Sequence, residues 1–185
     1  RAARTLAQRC SREPALRIDL QKRIPVGGGL GGGSSDAATT LRLCDYLWET
    51  GLDETELAAI GAELGSDVPL FFSLPSAVIE GRGERVSPVS LRWSGWVLLI
   101  FPPIPVSTAE VYRAYRPDDS DGCPSGTDRD ILHAASALEL SGLLTNHLEP
   151  ALFRVCPTVY SLREALIILD LTSVHVTGSG SALYY

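Results

Sequence analysis

The amino-acid sequence predicts an α+β protein in two parts, on three observations. Segments with the two-residue apolar period of a strand mix with segments at helical spacing, without the strict alternation of a doubly wound sheet. A chain of 185 residues that is 45% hydrophobic can bury a real core, as one large domain or two small ones. A run of glycines separates a strand-like segment from a capped helical one in the first half. We expect a boundary near Arg92, giving parts 1–92 and 93–185.

Taken in order, Arg1 to Arg9 suits the end of a helix, and Ala15 to Ile24 alternates Leu16, Ile18 and Leu20 with polar residues, the period of a half-buried strand. Gly27 to Gly33 holds six glycines in seven residues and is expected to be irregular. Ser34, Ser35 and Asp36 are N-cap types, followed by Ala37, Leu41, Cys44 and Trp48 at helical spacing, with Gly51 as the stop. Asp53 with Glu56 predicts a capping box for a second helix through about Leu64. Val68 to Ser73 is short and apolar, and Ala77 to Val89 reads as a hairpin turning at Gly81-Arg82-Gly83. Trp96 to Phe101 reads as a buried strand stopped by Pro102 and Pro103, and Ser107 or Thr108 as the cap of a helix through Tyr115. Pro117 to Asp130 is the one long polar loop; helices are expected at Ile131 to Leu140, Leu143 to Arg154 and Val159 to Leu169, and Val174 to Tyr185 reads strand, glycine turn, strand.

Composition excludes several classes of function. A formal net charge of −6 argues against a nucleic-acid partner, which needs a basic face. No apolar run reaches the ~20 residues that cross a bilayer, and no cleavable signal opens the chain. Cys10, Cys44, Cys123 and Cys156 lack metal-ligand spacing and are expected to be reduced, mostly buried thiols of an intracellular protein. The chain contains no Met, opens on Arg1 and closes on the apolar Ala182-Leu183-Tyr184-Tyr185. These ends predict a fragment, inactive and marginally stable by itself, with unpaired strand edges.

The segment Pro25-Val26-Gly27-Gly28-Gly29-Leu30-Gly31-Gly32-Gly33-Ser34-Ser35-Asp36, running into a helix, has the physics of a phosphate cradle. Glycines let backbone N–H groups approach an oxyanion, the helix N-terminus adds partial positive charge, and the serine hydroxyls offer donors or a magnesium ligand. A Walker loop would need Lys after its last Gly, where this chain has Ser; its only lysine, Lys22, precedes the loop. Gly27, Gly29 and Gly32 match the dinucleotide spacing, but Glu49 and Asp53, about 20 residues on, lie between two helices rather than ending a strand.

The third design resembles the GHMP kinase family, in the branch acting on a cytidine-diphosphate-linked methylerythritol in the non-mevalonate isoprenoid (terpenoid) route. The resemblance rests on Gly29-Leu30-Gly31-Gly32-Gly33-Ser34-Ser35-Asp36-Ala37-Ala38, then Leu64-Gly65-Ser66-Asp67-Val68-Pro69, Gly81-x-Gly83-Glu84, Pro105-Val106-Ser107-Thr108, Asn146-x-Leu148-Glu149 and Thr177-Gly178-Ser179-Gly180, in order over nearly the whole chain. It implies an ATP-binding N-terminal part like domain 2 of ribosomal protein S5 and a ferredoxin-like C-terminal part, each incomplete. It also implies ATP-dependent phosphorylation of the substrate's 2-hydroxyl, magnesium travelling with the nucleotide, and a cytoplasmic (in a plant or alga, plastid) location. Rival readings are another GHMP kinase, of homoserine or mevalonate type, and a non-catalytic nucleotide-binding remnant.

By that resemblance Pro25 to Ser35 bind ATP, and Asp67 orients or deprotonates the substrate hydroxyl. Spacing alone makes Asp67 a turn aspartate, pinned by Gly65 and Pro69 beside an apolar run expected to limit water. Thr108, Gly178, Ser179 and Gly180 are implied to border the substrate, although by themselves they read as a helix cap and a tight turn. The lysine that the family pairs with its aspartate has no match here. His147 departs from the family's usual Asp at that position and reads as a surface substitution; His133 and His175 read as structural.

Overall fold

The computed structural model describes residues 1–73, 75–83, 85–91, 94–120 and 128–185. Glu84, Arg92, Cys123 and the middle of the polar loop lie outside the described residues. The chain divides into two compact units, one of Arg1–Arg23 with Gly31–Ser90, the other of Ile24–Leu30 with Leu91–Tyr185, so one division, between Leu30 and Gly31, falls inside the glycine run.

The first unit is a helical cluster with a hairpin. Helix α1 (Ala2–Arg9) buries Ala2, Ala3, Leu6 and Ala7, one stripe at helical spacing. Helix α2 (Gly32–Trp48) buries Ala38, Leu41 and Cys44, and helix α3 (Glu54–Ala62) buries Leu57, Ile60 and Gly61. Leu41, Cys44, Leu57 and Ile60 pack into one apolar core with Ala2, Ala3 and Leu6 of α1. The capping box of α3 forms as expected: Glu56 N–H donates to Asp53 Oδ1 at 2.8 Å and Asp53 N–H to Glu56 Oε2 at 2.9 Å. A 3-10 turn at Pro69–Phe72 follows, and strands β1 (Ala77–Glu80) and β2 (Arg85–Pro88) form the antiparallel hairpin.

Three expectations for this unit need correction. Helix α2 starts inside the glycine run, with Gly31 rather than a serine at the N-cap. Glycine disfavours helix interiors, but in the first turn the N–H groups need no intrahelical acceptor, so Gly32 and Gly33 are accommodated there. The stop is Glu49, at φ 51, with Gly51 two residues beyond it. Ala15 to Ile24 is not a strand: Ile18 and Leu20 are exposed, and among the described residues no strand pairs with the segment. Alternation marks a strand only where a neighbour supplies the ladder and covers the apolar face.

The second unit carries an antiparallel sheet in the order β3-β5-β4, from β3 (Leu99–Ile100), β4 (His175–Val176) and β5 (Leu183–Tyr184). Its helices are α4 (Thr108–Ala114), α5 (Asp128–His133), α6 (Ala137–Leu143), α7 (Glu149–Val155) and α8 (Pro157–Ile168). Val111, Ala151, Leu152, Val159, Val174, Val176 and Leu183 form its core. Trp96 to Phe101 shortens to two strand residues and is not buried; Trp96 is fully exposed, and among the described residues β3 pairs along one edge, with β5. The single helix expected over Ile131 to Leu140 is two, split where Ser136 turns extended to cap α6 by accepting from Glu139 N–H at 3.2 Å. Leu143 to Arg154 turns helical only at Glu149. Of the described cysteines only Cys44 is buried, and burial pushes its thiol pKa up; Cys10 and Cys156 are half-buried.

Arg154 ties the segment after α4 to α7. Its guanidinium donates to Asp119 Oδ1 at 2.9 Å and Oδ2 at 2.6 Å, and to the Ala114 carbonyl at 2.7 Å. The hydrogen bond from Arg154 holds the Asp119 carboxyl below its ordinary pKa, helped by the Arg116 N–H. A lowered folded-state pKa adds stability above the ordinary carboxylate range, lost as pH falls through the lowered value. Asp119→Asn is therefore expected to lower the Tm at neutral pH, with the difference from wild type shrinking below about pH 4. Thermal melts from pH 7 to 3 check it; a pH-independent difference would show that ionisation of Asp119 contributes nothing.

Candidate nucleotide-binding and phosphoryl-transfer site

In the second unit the first half of the glycine run rests on the turn between β4 and β5. Thr177 Oγ1 donates to the Gly29 carbonyl at 2.7 Å. Gly29 has φ +75, and a Cβ on it would lie 2.2 Å from the Thr177 carbonyl oxygen, so no other residue fits. Gly178 packs from the other side, its missing Cβ 3.3 Å from the Gly29 carbonyl oxygen. Gly27 shows the opposite environment: a Cβ there would meet nothing within 4 Å. Pro25 to Gly28 also line an open groove of about 450 Å³ with Phe101 to Val106 and Ser181.

In the first unit the run enters α2. The N–H groups of Gly32, Gly33 and Ser34 have no intrahelical acceptor; the first such bond is from Ser35 N–H to the Gly31 carbonyl at 2.9 Å. A Cβ on Gly33 would again meet nothing within 4 Å, so protein packing does not require a glycine there. Free donors, the positive end of a 17-residue helix and open space over the backbone suit an oxyanion. Lys22 Nζ pairs with Asp36 Oδ2 at 2.5 Å, at the flank of this turn.

Asp67 lies in the turn between α3 and the 3-10 turn of the same unit. Gly61 lacks a Cβ that would sit 2.7 Å from Val68, which lets Val68 bury against α3 beside Asp67. Gly83 closes the other side, its absent Cβ 2.6 Å from the Ser66 carbonyl oxygen. The segment around Gly83 thus packs directly on the turn that carries Asp67. Ser66 Oγ donates to Asp67 Oδ1 at 3.1 Å. Asp67 itself is exposed rather than shielded from water, because Val68 and Pro69 take the apolar burial and turn inward.

Of the residues implied to border the substrate, Thr108 and Ser179 are joined, Oγ1 to Oγ at 2.9 Å, with Ser179 buried. Gly180 closes the turn, donating its N–H to the Thr177 carbonyl at 3.0 Å, and packs on Leu152. His147 and His133 are exposed, and His175 Nε2 is 3.1 Å from the Ser141 carbonyl. Sequence reasoning missed what Asn146 and Glu149 do: both bond the backbone of the β4 turn. The only signal was their place in a motif, which gave no partner. Among the described residues no group of three or more His, Cys, Asp and Glu could hold a metal, and no helix is long and apolar enough to cross a membrane.

With this geometry in view, comparison with known proteins is informative. Residues 1–73 match the family model described as GHMP kinases N terminal domain. Residues 1–73 thus belong to the N-terminal domain of the GHMP kinase family. It is 37% identical over 183 residues to the 4-diphosphocytidyl-2-C-methyl-D-erythritol kinase of Shouchella clausii, covering 99% of this chain and 62% of the relative. The enzyme of the same name from Citrifermentans bemidjiense is 40% identical over 187 residues, with all of this chain and 64% of the relative covered. A crystal structure of 4-(cytidine 5'-diphospho)-2C-methyl-D-erythritol kinase superimposes with a TM-score of 0.78 at 37% identity, covering 99% of this chain and 66% of that one. The chain thus spans about three fifths of the length of these curated relatives, and its mixed helix and sheet fits the expected α+β class.

Gly33 offers a clean test of the loop, since its neighbourhood costs a side chain nothing. Gly33→Val is expected to leave the Tm within a few degrees and to weaken ATP binding at least about tenfold, ~1.4 kcal/mol. Calorimetric titration of a folded variant with unchanged ATP affinity would remove the loop from the nucleotide site.

Proposed function

We propose that this chain carries the phosphate-gripping and hydroxyl-activating parts of an ATP-dependent kinase that phosphorylates the 2-hydroxyl of 4-diphosphocytidyl-2-C-methyl-D-erythritol in the non-mevalonate isoprenoid route. What supports the reading is similarity over the whole chain to relatives named for that activity. In this reading residues 1–92 and 93–185 are parts of the family's N- and C-terminal domains, the partner is a small molecule, and the reaction is cytoplasmic.

Phosphoryl transfer asks mainly for positioning and for neutralisation of charge on the transferred group. The backbone of Pro25 to Ser35 supplies N–H donors for the nucleotide phosphates. The hydroxyls of Ser34 and Ser35 are the oxygens this loop would offer a magnesium ion bound with ATP, which would supply neutralisation of phosphate charge. Asp67 accepts the proton of the 2-hydroxyl or fixes its direction, and Thr108 with the Gly178-Ser179-Gly180 turn borders the alcohol. The exposure of Asp67 suits this role, because a carboxylate that receives a substrate hydroxyl must be reachable.

In the full-length protein, Asp67→Asn is expected to keep ATP affinity and lose ~10²–10⁴-fold in turnover, because the amide is nearly isosteric but cannot accept the proton. A kcat within about threefold of wild type, ~0.7 kcal/mol of barrier, would take Asp67 out of the reaction. ADP release measured with the cytidine-linked erythritol, homoserine and mevalonate in parallel tests the substrate. The reading expects turnover with the first alone, and turnover with either of the others would redirect it.

A further inference from the structure

The turn that carries Gly29 is itself held by a clamp outside every residue assigned a role above. Asn146 Nδ2 donates to the Val176 carbonyl at 2.9 Å and to the Gly178 carbonyl at 2.8 Å. Its Oδ1 accepts from Leu148 N–H at 3.0 Å, so three bonds fix the amide. Three residues on, Glu149 Oε1 accepts from Val176 N–H at 2.7 Å. The two side chains thus hold both backbone groups of Val176 and the carbonyl after Thr177. Thr177, between them, gives its hydroxyl to the Gly29 carbonyl at 2.7 Å. A continuous path of hydrogen bonds runs from the start of α7 to the middle of the glycine loop.

We infer that Asn146 and Glu149, acting through Thr177, are positioning residues for the nucleotide: they set the height and tilt of the loop backbone at Gly29. This rests on the proposed ATP site and adds to it a strut that touches neither ATP nor alcohol. Without the strut Gly29 keeps its left-handed backbone but loses the bond that aims its peptide, and phosphate binding through backbone groups tolerates little misplacement. The same geometry accounts for the departure at position 147. Asn146, Leu148 and Glu149 are the residues whose side chain or backbone N–H the clamp uses, whereas His147 points to solvent and is free to vary.

Asn146→Asp keeps the shape of the side chain and its bond to Leu148 N–H but removes both donors to the turn. Thr177→Val keeps volume and removes the hydroxyl, and Thr177→Ser restores it. In the full-length protein, the first two are expected to raise the Kd for ATP at least about tenfold, one well-placed hydrogen bond's worth, with Thr177→Ser near wild type; the KM for the alcohol is expected to stay within about twofold in Thr177→Val, whose lost hydroxyl bonds the Gly29 carbonyl. Amide exchange without nucleotide, read by mass spectrometry on the peptide spanning residues 24–31, is expected to quicken in Asn146→Asp and Thr177→Val and not in Thr177→Ser. Wild type that binds ATP, beside a folded Thr177→Val with unchanged ATP affinity and exchange, would overturn the strut and leave the proposed function standing. Equal loss of ATP and alcohol binding in Thr177→Val, or a defect that Thr177→Ser does not rescue, would mean general destabilisation and also overturns it. Wild type that fails to bind ATP would sink the functional reading and the strut together.

Discussion

The approach of the Gly29 backbone to Thr177 is the constraint on which the loop geometry of the second unit depends. A carbonyl oxygen occupies the place where a side chain on Gly29 would begin, and a hydroxyl from the same residue holds the Gly29 carbonyl. A glycine is needed both for its positive φ and for its lack of bulk. Once that contact exists, the residues before it are held up with open space at Gly27. A loop so rich in glycine would otherwise sample many conformations, and ordering it on ligand binding would cost entropy. The fold has met that cost in advance by bracing the loop against a strand turn.

The first unit solves a parallel problem by different means. There the loop becomes a helix at once, and the rigid object is the amphipathic α2, packed through Leu41 and Cys44 on α1 and α3. Its first turn presents donors because helices leave them unpaired, not because a side chain arranges them. The turn bearing Asp67 is positioned by absence of bulk: Gly61 admits Val68 and Gly83 admits Ser66. Two glycines far apart in sequence therefore serve one carboxylate. The Arg42 guanidinium adds a tether, donating to the Phe71 carbonyl at 3.1 Å and to both oxygens of Glu54.

Much of the architecture was legible before any coordinates. The capping box at Asp53 and Glu56, the cap at Ser107, the hairpin about Gly81 and Gly83 and the short strands around the Thr177 turn all formed where local chemistry put them. Each depends on contacts within a few residues, which sequence displays directly. The failures share the opposite property. Ala15 to Ile24 has strand periodicity with no strand beside it among the described residues, and Trp96 to Phe101 has the apolar run of a buried strand, yet Trp96 to Leu99 and Phe101 are exposed. Periodicity reports what a segment could bury, not whether anything arrives to bury it against.

The sequence by itself determined the residue types that chemistry needs. These are a glycine run with the physics of a phosphate cradle, serines at the mouth of a helix and an aspartate held in a turn, in an order that resembles a family. Tertiary structure alone decided which glycines face open space and which face protein, an inward pair in Gly29 and Gly178 against an open pair in Gly27 and Gly33. It alone joined Asn146 and Glu149 to a turn some 30 residues away, and Thr177 to a loop 148 residues away. The reason is physical. A hydrogen bond or a missing Cβ acts over about 3 Å in space, and one-dimensional spacing carries no record of which distant backbone will come within that reach.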